Sequence, residues 1–222
     1  MEAKETILEL SSHEVETYVE EFTKIRLMYQ SALREVGTKL EILNDEFSSL
    51  RQDNPIEHIK SRIKTPASML KKLARKGLPL SVESARRNLN DIAGIRVICS
   101  FVDDIYMVAD TLIRQNDVTL VKRTDYIKNP KPNGYRSLHL VVEIPVFFSN
   151  GMERVRVEVQ IRTVAMDFWA SLEHKLRYKH EGRVLPGVSE DLLYCAEQIS
   201  LLDEKMMKIN QRIMEADGRE TA

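Results

Sequence analysis

From Lys60 to Lys76 the chain reads KSRIKTPASMLKKLARK, with basic residues throughout and no acid. Arg62 and Lys64 are two residues apart, so an extended backbone points both side chains the same way. Thr65-Pro66 then marks a helix start, because proline at the first helical position needs no donor. Gly77 is a natural stop. On that helix Ser68, Lys72 and Arg75 share one face, while Met69, Leu70 and Leu73 supply an apolar one. A helix N-terminus, a hydroxyl and a line of cations suit a polyphosphate. A solvated basic face has the same composition.

Two carboxylates add a second kind of chemistry. VRVEVQIR, Val155 to Arg162, alternates strictly. Val155, Val157, Val159 and Ile161 take one face, and Arg156, Glu158, Gln160 and Arg162 the other. A solvent-facing strand would show the same pattern. Asp91 opens another strand candidate, DIAGIRVIC, with Arg96 farther along it. If neighbouring strands bring Asp91 and Glu158 together, the pair suits Mg²⁺, which takes one or two carboxylates plus substrate oxygens. The five histidines show no zinc-type spacing, and no His-Asp dipeptide of a metal phosphohydrolase occurs.

A third stretch, NPKPNGYRSLHLVV from Asn129 to Val142, crowds turn residues around one aromatic. The whole chain has only 8 Gly and 7 Pro, yet Pro130, Pro132 and Gly134 lead straight into Tyr135. Such a loop presents a flat ring at the mouth of a strand.

The elements that must hold these residues follow from periodicity. Apolar residues at helical spacing from Val15 to Leu50 predict one long helix or two nearly continuous ones, with Gly37 the weakest point. Ser189 with Glu190 and Asp191 predicts a second long helix carrying Leu192, Cys195, Ile199, Leu202, Met206, Ile209 and Ile213. Between them, strands are expected at Asp91–Cys99, Val118–Lys122, Leu138–Ile144 and Val155–Ile161, with a turn at Ser149-Asn150-Gly151. Helices are expected over Val102–Gln115 and Thr163–Tyr178. The fold class is α+β: a mixed sheet of about five strands packed with helices, flanked by long terminal helices. Helices of that length extend beyond a small domain, and at least one stripe is expected to join a homo-oligomer interface as well as, or instead of, the core.

Composition narrows the function classes. At 222 residues, 43% hydrophobic and 30% charged, the chain is a globular protein. A formal net charge of -1 argues against coating nucleic acid or acidic membrane, so an anion site must be local. Cys99 and Cys195 lack disulfide-framework and metal spacing and are expected as ordinary buried thiols. No membrane-length apolar run and no leader pattern occur, so the expected location is the cytoplasm.

RIKTPASMLKKL, DIAGIRV, YIKNPKPNGYRSLH, VEVQIRT and AMDFWASLEHKLRYK follow one another as in the RelA/SpoT alarmone synthetases. The resemblance spans roughly residues 54–179, and NPIEHIKSRIK with AMDFWASLEH is most similar to the RelP-like branch. It implies a nucleotidyltransferase-like synthetase domain over 54–180, preceded by a helical region over 1–53 and followed by an oligomerising C-terminal helix over 181–222. It leaves no room for a hydrolase domain. The implied reaction moves the β,γ-diphosphate of ATP to the 3′-hydroxyl of GDP or GTP, giving (p)ppGpp and AMP. On the matching positions, Arg62 and Arg96 would sandwich adenine, and Lys64, Ser68, Lys72 and Arg75 would hold the ATP phosphates. Asp91 and Glu158 would hold Mg²⁺, with Glu158 also the candidate base. Tyr135 would stack on guanine, assisted by Lys131, Asn133 and His139 with Gln160 nearby. Such a stack is worth ~1–3 kcal/mol. A homotetramer is the implied assembly.

The chain departs from the family at two places. Where long members carry a charged motif before the aromatic loop, this one has Lys122-Arg123-Thr124-Asp125, and only the aspartate matches. Where the RelQ-like branch builds a product-activation site from a phenylalanine and an asparagine, the matching residues are His58 and Asp167, so product activation does not carry over. Two other classes compete. One is an inactive nucleotide- or RNA-binding regulator, which intact Asp91 and Glu158 argue against. The other is a nucleotidyltransferase, for which a paired Asp-x-Asp on a strand is missing.

Overall fold

Alternation of apolar and polar side chains along the strands produces a sheet with one dry face and one charged face. The computed structural model describes residues 12–51, 54–179 and 187–216. Helix α1 (Ser12–Arg51) leads into strand β1 (Ile56–Ile63), then α2 (Pro66–Arg75), α3 (Val82–Asn88), β2 (Ala93–Cys99) and α4 (Val102–Ile113). Strands β3 (Thr119–Asp125), β4 (Leu138–Phe148) and β5 (Gly151–Thr163) follow, then α5 (Val164–Lys179) and α6 (Val188–Ala216). The sheet order is β1-β2-β5-β4-β3. Only β2 and β5 run parallel; the other neighbours are antiparallel.

The dry face carries Ile95 and Val97 from β2, Val157 and Val159 from β5, and Leu140 and Val142 from β4, all buried. Against it pack α1 through Tyr29, Val36 and Leu40 and α4 through Ile105, Val108 and Leu112, in one continuous core. The predicted N-terminal stripe is therefore core from Ile25 to Phe47, whereas Leu50 is exposed. The side chains of Val15 and Tyr18, the other end of that stripe, lie outside the described residues. Helix α1 runs through Gly37 without a break.

The predicted strands are present: β4 and β5 run longer than expected, β3 is shifted toward Asp125, and β2 begins at Ala93, two residues after Asp91. The β4–β5 hairpin closes with Phe148 opposite Gly151, and Gly151 adopts a φ of 133°, a conformation natural only to glycine. Helix α3 went unread in the sequence because it is a single short helix of 7 residues; its signal is Ser81, which caps the Ser84 amide. Strand β1 was legible only as the extended Arg62–Lys64 pair. The C-terminal stripe faces outward: Leu202, Met206, Ile209 and Ile213 are exposed on α6. Cys99 is buried as expected, but Cys195 is exposed because it lies on α6, which buries only Ala196.

Candidate active site

Strand register assembles the charged face. One row across the sheet runs Arg62, Gly94, Glu158, Val141; the next runs Lys60, Arg96, Gln160, His139, Thr124. With no side chain at Gly94, the Arg62 side chain lies across that position, between β1 and the row leading to Glu158.

Asp91 sits two residues before β2 begins, in the turn that feeds the sheet. Its Oδ2 accepts from Lys64 Nζ and Lys72 Nζ, each at 2.6 Å. Burial by itself would raise the Asp91 carboxyl, but the two lysine hydrogen bonds and charges outweigh it and hold the pKa below the ordinary value. Asp91 Oδ1 is buried and has no hydrogen-bond partner. A carboxylate with one saturated and one open oxygen is suited to a ligand bearing positive charge. Thr65 caps α2 by accepting from the Ser68 amide, and its hydroxyl donates to Ser68 Oγ. Arg75 is exposed on the same helix, and its guanidinium makes no hydrogen bond or ion pair among the described residues.

Glu158 accepts from Gln160 Nε2 at 2.8 Å, and its Oε1 lies 3.4 Å from His139 Nδ1. Burial pushes its carboxyl up, yet His139 and Gln160 bring the pKa below the usual value while the Asp91 charge acts the other way. Asp91 precedes β2 and Glu158 lies on the neighbouring β5, so both carboxylates belong to the charged side of the sheet. Together they can hold a divalent cation that also takes phosphate oxygens. No cluster of three or more metal-type side chains exists among the described residues.

Tyr135 lies at the far side of this face. Arg162 Nη2 donates to its hydroxyl at 2.7 Å, and the hydroxyl is 2.8 Å from His139 Nε2. Because Arg162 supplies one hydrogen to the phenol oxygen, the phenol hydrogen is free for His139 Nε2. The Nδ1–H of His139 then faces Glu158. Burial pushes the Tyr135 phenol up, against the nearby Arg162 charge. Lys131 Nζ lies over the Tyr135 ring at 4.6 Å and over Tyr126 at 4.7 Å. Asn133 is committed to the loop itself: its amide nitrogen donates to Glu173 Oε1 and its oxygen accepts from the Tyr135 amide. Gly134, at φ 86°, packs so close to α6 that an added Cβ would stand 2.5 Å from Ala196 Cβ.

Two residues matter more than their sequence positions suggested. Arg162 is only 2% exposed and also donates to Gln160 Oε1 at 2.9 Å and to Asp167 Oδ1 at 3.2 Å. The strand alternation already placed it on the Glu158 face; its burial was invisible without α5. Asp167 takes Arg96 Nη1 on the same oxygen at 3.1 Å. Asp125, the matching residue of the departed charged motif, caps a turn through the Ile127 and Lys128 amides and accepts from Tyr106.

The model for the "Region found in RelA / SpoT proteins" matches residues 61–183. The chain belongs to the RelA/SpoT family. GTP pyrophosphokinase YwaC of Bacillus subtilis is 45% identical over 200 residues, covering 90% of this chain and 95% of that protein. Among solved structures, the small alarmone synthetase 1 of Bacillus subtilis bound to its product pppGpp superposes with a TM-score of 0.81 at 39% identity. It covers 86% of this chain and 97% of that one. The same synthetase bound to AMPCPP gives a TM-score of 0.75 at 35% identity, covering 88% of this chain and 99% of that one. The RelA/SpoT match takes in every residue from Arg62 to Asp167 that meets on the charged face.

Proposed function

We propose that this RelA/SpoT chain is a GTP pyrophosphokinase that transfers the β,γ-diphosphate of ATP to the 3′-hydroxyl of GDP or GTP. The products are ppGpp or pppGpp and AMP. The observation that supports it is the charged face itself, where Asp91 is bonded to Lys64 and Lys72, Glu158 is bonded to Gln160 on the neighbouring strand, and the Tyr135–His139 contact lies beyond them. An inactive regulator would not need two half-buried carboxylates held below their usual pKa.

In this function Arg62 and Arg96 hold the adenine, and Ser68, Arg75, Lys64 and Lys72 hold the phosphates at and beyond the α2 N-terminus. Each ammonium has three donors, so Lys64 and Lys72 keep donors for phosphate while bonded to Asp91. Tyr135 stacks on guanine with Lys131, Asn133, His139 and Gln160 around it. The 3′-hydroxyl oxygen attacks the β-phosphorus, the bond from that phosphorus to the bridging oxygen breaks, and AMP leaves with the bonding pair. Glu158 accepts the hydroxyl proton. Asp91 Oδ1 and Glu158 would hold Mg²⁺, which when bound neutralises phosphate charge at the centre of the transfer. Positioning and charge neutralisation supply most of the catalysis in such reactions.

In this reading residues 54–180 are the synthetase domain, and the described parts of the flanking regions 1–53 and 181–222 are the helices α1 and α6. The exposed rows Phe168, Leu172 and Leu176 on α5 and Leu202, Met206 and Ile213 on α6 are covered by further copies in a homotetramer. No helix among the described residues is long and apolar enough to cross a membrane. Incubation with ATP, Mg²⁺ and GDP tests the function directly. AMP with ppGpp is expected; free pyrophosphate would mark a nucleotidyltransferase, and absence of turnover a regulator.

A further inference from the structure

We infer that Arg156 is a positioning residue for the divalent cation, tying the turn that carries Asp91 to the strand that carries Glu158; this rests on the proposed function for the cation and on geometry for the tie. Glu158 is fixed by the sheet, opposite Gly94 of β2 and Val141 of β4. Asp91 is not, because β2 begins only at Ala93. On one side the turn is held by the backbone, where the Lys64 amide donates to the Ile92 carbonyl at 2.8 Å. On the other side it is held by Arg156. That arginine stands two residues before Glu158 on the charged face of β5, and its Nη1 donates to Asn90 Oδ1 at 3.2 Å. Asn90 is the residue before Asp91.

The form of the contact suits a brace. Glu143, directly opposite Arg156 on β4, accepts from its Nε at 3.3 Å. A planar guanidinium held by one partner through Nε and by another through Nη1 has its plane set, which a single ammonium cannot achieve. The side-chain bonds made by Asp91 itself are of a looser kind. Lys64 and Lys72 reach its Oδ2 on flexible four-carbon stems. Both are also phosphate ligands in the proposed function, so they follow the substrate, whereas Arg156 holds the turn before any substrate arrives. A cation binds tightly only where its ligands already stand in place, and the contacts that orient those ligands are part of its affinity. Arg156 Nη2 makes no hydrogen bond among the described residues, so a direct contact with a substrate phosphate is the competing role.

The test uses the full chain with GDP and α,β-methylene-ATP, which permits no turnover, and Mn²⁺ as the probe. Free Mn²⁺ is followed by electron paramagnetic resonance, with the nucleotides alone as the reference. Loss of a contact that orients a metal ligand typically costs ~10–100-fold in affinity. Arg156 acts through the residue beside the ligand, so Arg156→Met is expected at the lower end, a loss of ~10-fold. In turnover the same variant should need about ten times more Mg²⁺ for half its maximal rate. It should recover most of kcat at saturating Mg²⁺, with the KM for ATP and for GDP little changed there. Asn90→Ala cuts the same tie at its other end and should show the same loss. The double variant should be no worse than either single one, since both remove one contact. Unchanged Mn²⁺ affinity in Arg156→Met overturns the inference. So do losses that add in the double variant, which mark two separate structural effects, and a raised nucleotide KM with intact Mn²⁺ binding, which marks a direct phosphate contact. Should Arg156→Met not fold, Asn90→Ala keeps the Arg156–Glu143 pair, and unchanged Mn²⁺ affinity in that variant is equally fatal. A wild type that makes ppGpp while both variants match it in Mn²⁺ binding removes this tie alone; a wild type that makes none removes the proposed function and the inference with it.

Discussion

Glu158→Gln separates catalysis from folding because the structure fixes what each atom of the new side chain meets. Both neighbours of Glu158 donate toward it. Gln160 Nε2 does so at 2.8 Å, and Gln160 cannot flip its amide without losing the Arg162 bond to Oε1 at 2.9 Å. His139 Nδ1 faces the other oxygen at 3.4 Å, with Nε2 taken by the Tyr135 hydroxyl. A glutamine offers one acceptor and one donor, so one neighbour is left donor to donor. A mismatched buried polar group costs about 1–3 kcal/mol. The 3.4 Å contact is the weaker one and yields first, which puts the folding cost near the lower bound, about 1 kcal/mol. For a chain of this size that lowers Tm by roughly 2–4 °C. Turnover should fall far more. Losing the proton acceptor is worth ~10²–10⁴-fold, or about 3–5 kcal/mol of barrier, before any loss of metal support. Scanning calorimetry and a radiolabel assay for ppGpp measure the two effects on one preparation, with GDP binding checked separately. If kcat stays within tenfold of wild type, Glu158 is neither base nor metal ligand. If added Mg²⁺ restores the rate, it is a ligand and not the base.

Tyr135→Ala should raise the KM for GDP by roughly 5- to 150-fold with little change for ATP, matching the loss of a ~1–3 kcal/mol stack. Tyr135→Phe keeps the ring but strips Arg162 and His139 of the hydroxyl, so steady-state kinetics should place it between wild type and the alanine variant. Gly134→Ala puts a Cβ 2.5 Å from Ala196 Cβ at a φ of 86°; it should raise the GDP KM by lifting the loop from α6, and an unchanged KM would show that the loop does not depend on that contact. Leu202→Asp, on the exposed α6 stripe, should lower the oligomer mass by light scattering without lowering Tm; a monomeric wild type would refute the assembly. Asp91 and Glu158 both have depressed pKa values in the folded chain. Their stabilisation is complete above the ordinary carboxylate range near pH ~4 and is lost as pH falls through the depressed values. Denaturant titrations should therefore show Asp91→Asn losing less stability than wild type on acidification; an identical acid slope would contradict this.

The sequence by itself determined which residues can share a face. Alternation in VRVEVQIR put Glu158, Gln160 and Arg162 together, and helical spacing put Ser68, Lys72 and Arg75 together, because the periods of strand and helix are properties of the backbone. The order of specific motifs added the family and the reaction. What alternation cannot supply is which strand lies beside which. Asp91 and Glu158 are 67 residues apart, and only the parallel pairing of β2 with β5, in a sheet ordered β1-β2-β5-β4-β3, sets the strand that follows Asp91 beside the strand that carries Glu158. Burial is also a property of the assembled layers. Arg162 looked like any outward-facing arginine of a strand until α5 and the Tyr135 loop closed over it. The two terminal stripes show the same limit: both have core spacing, but α1 lies on the dry face of the sheet and α6 does not. Periodicity says that an apolar face must be covered, and only tertiary packing decides whether the sheet covers it or leaves it for another partner.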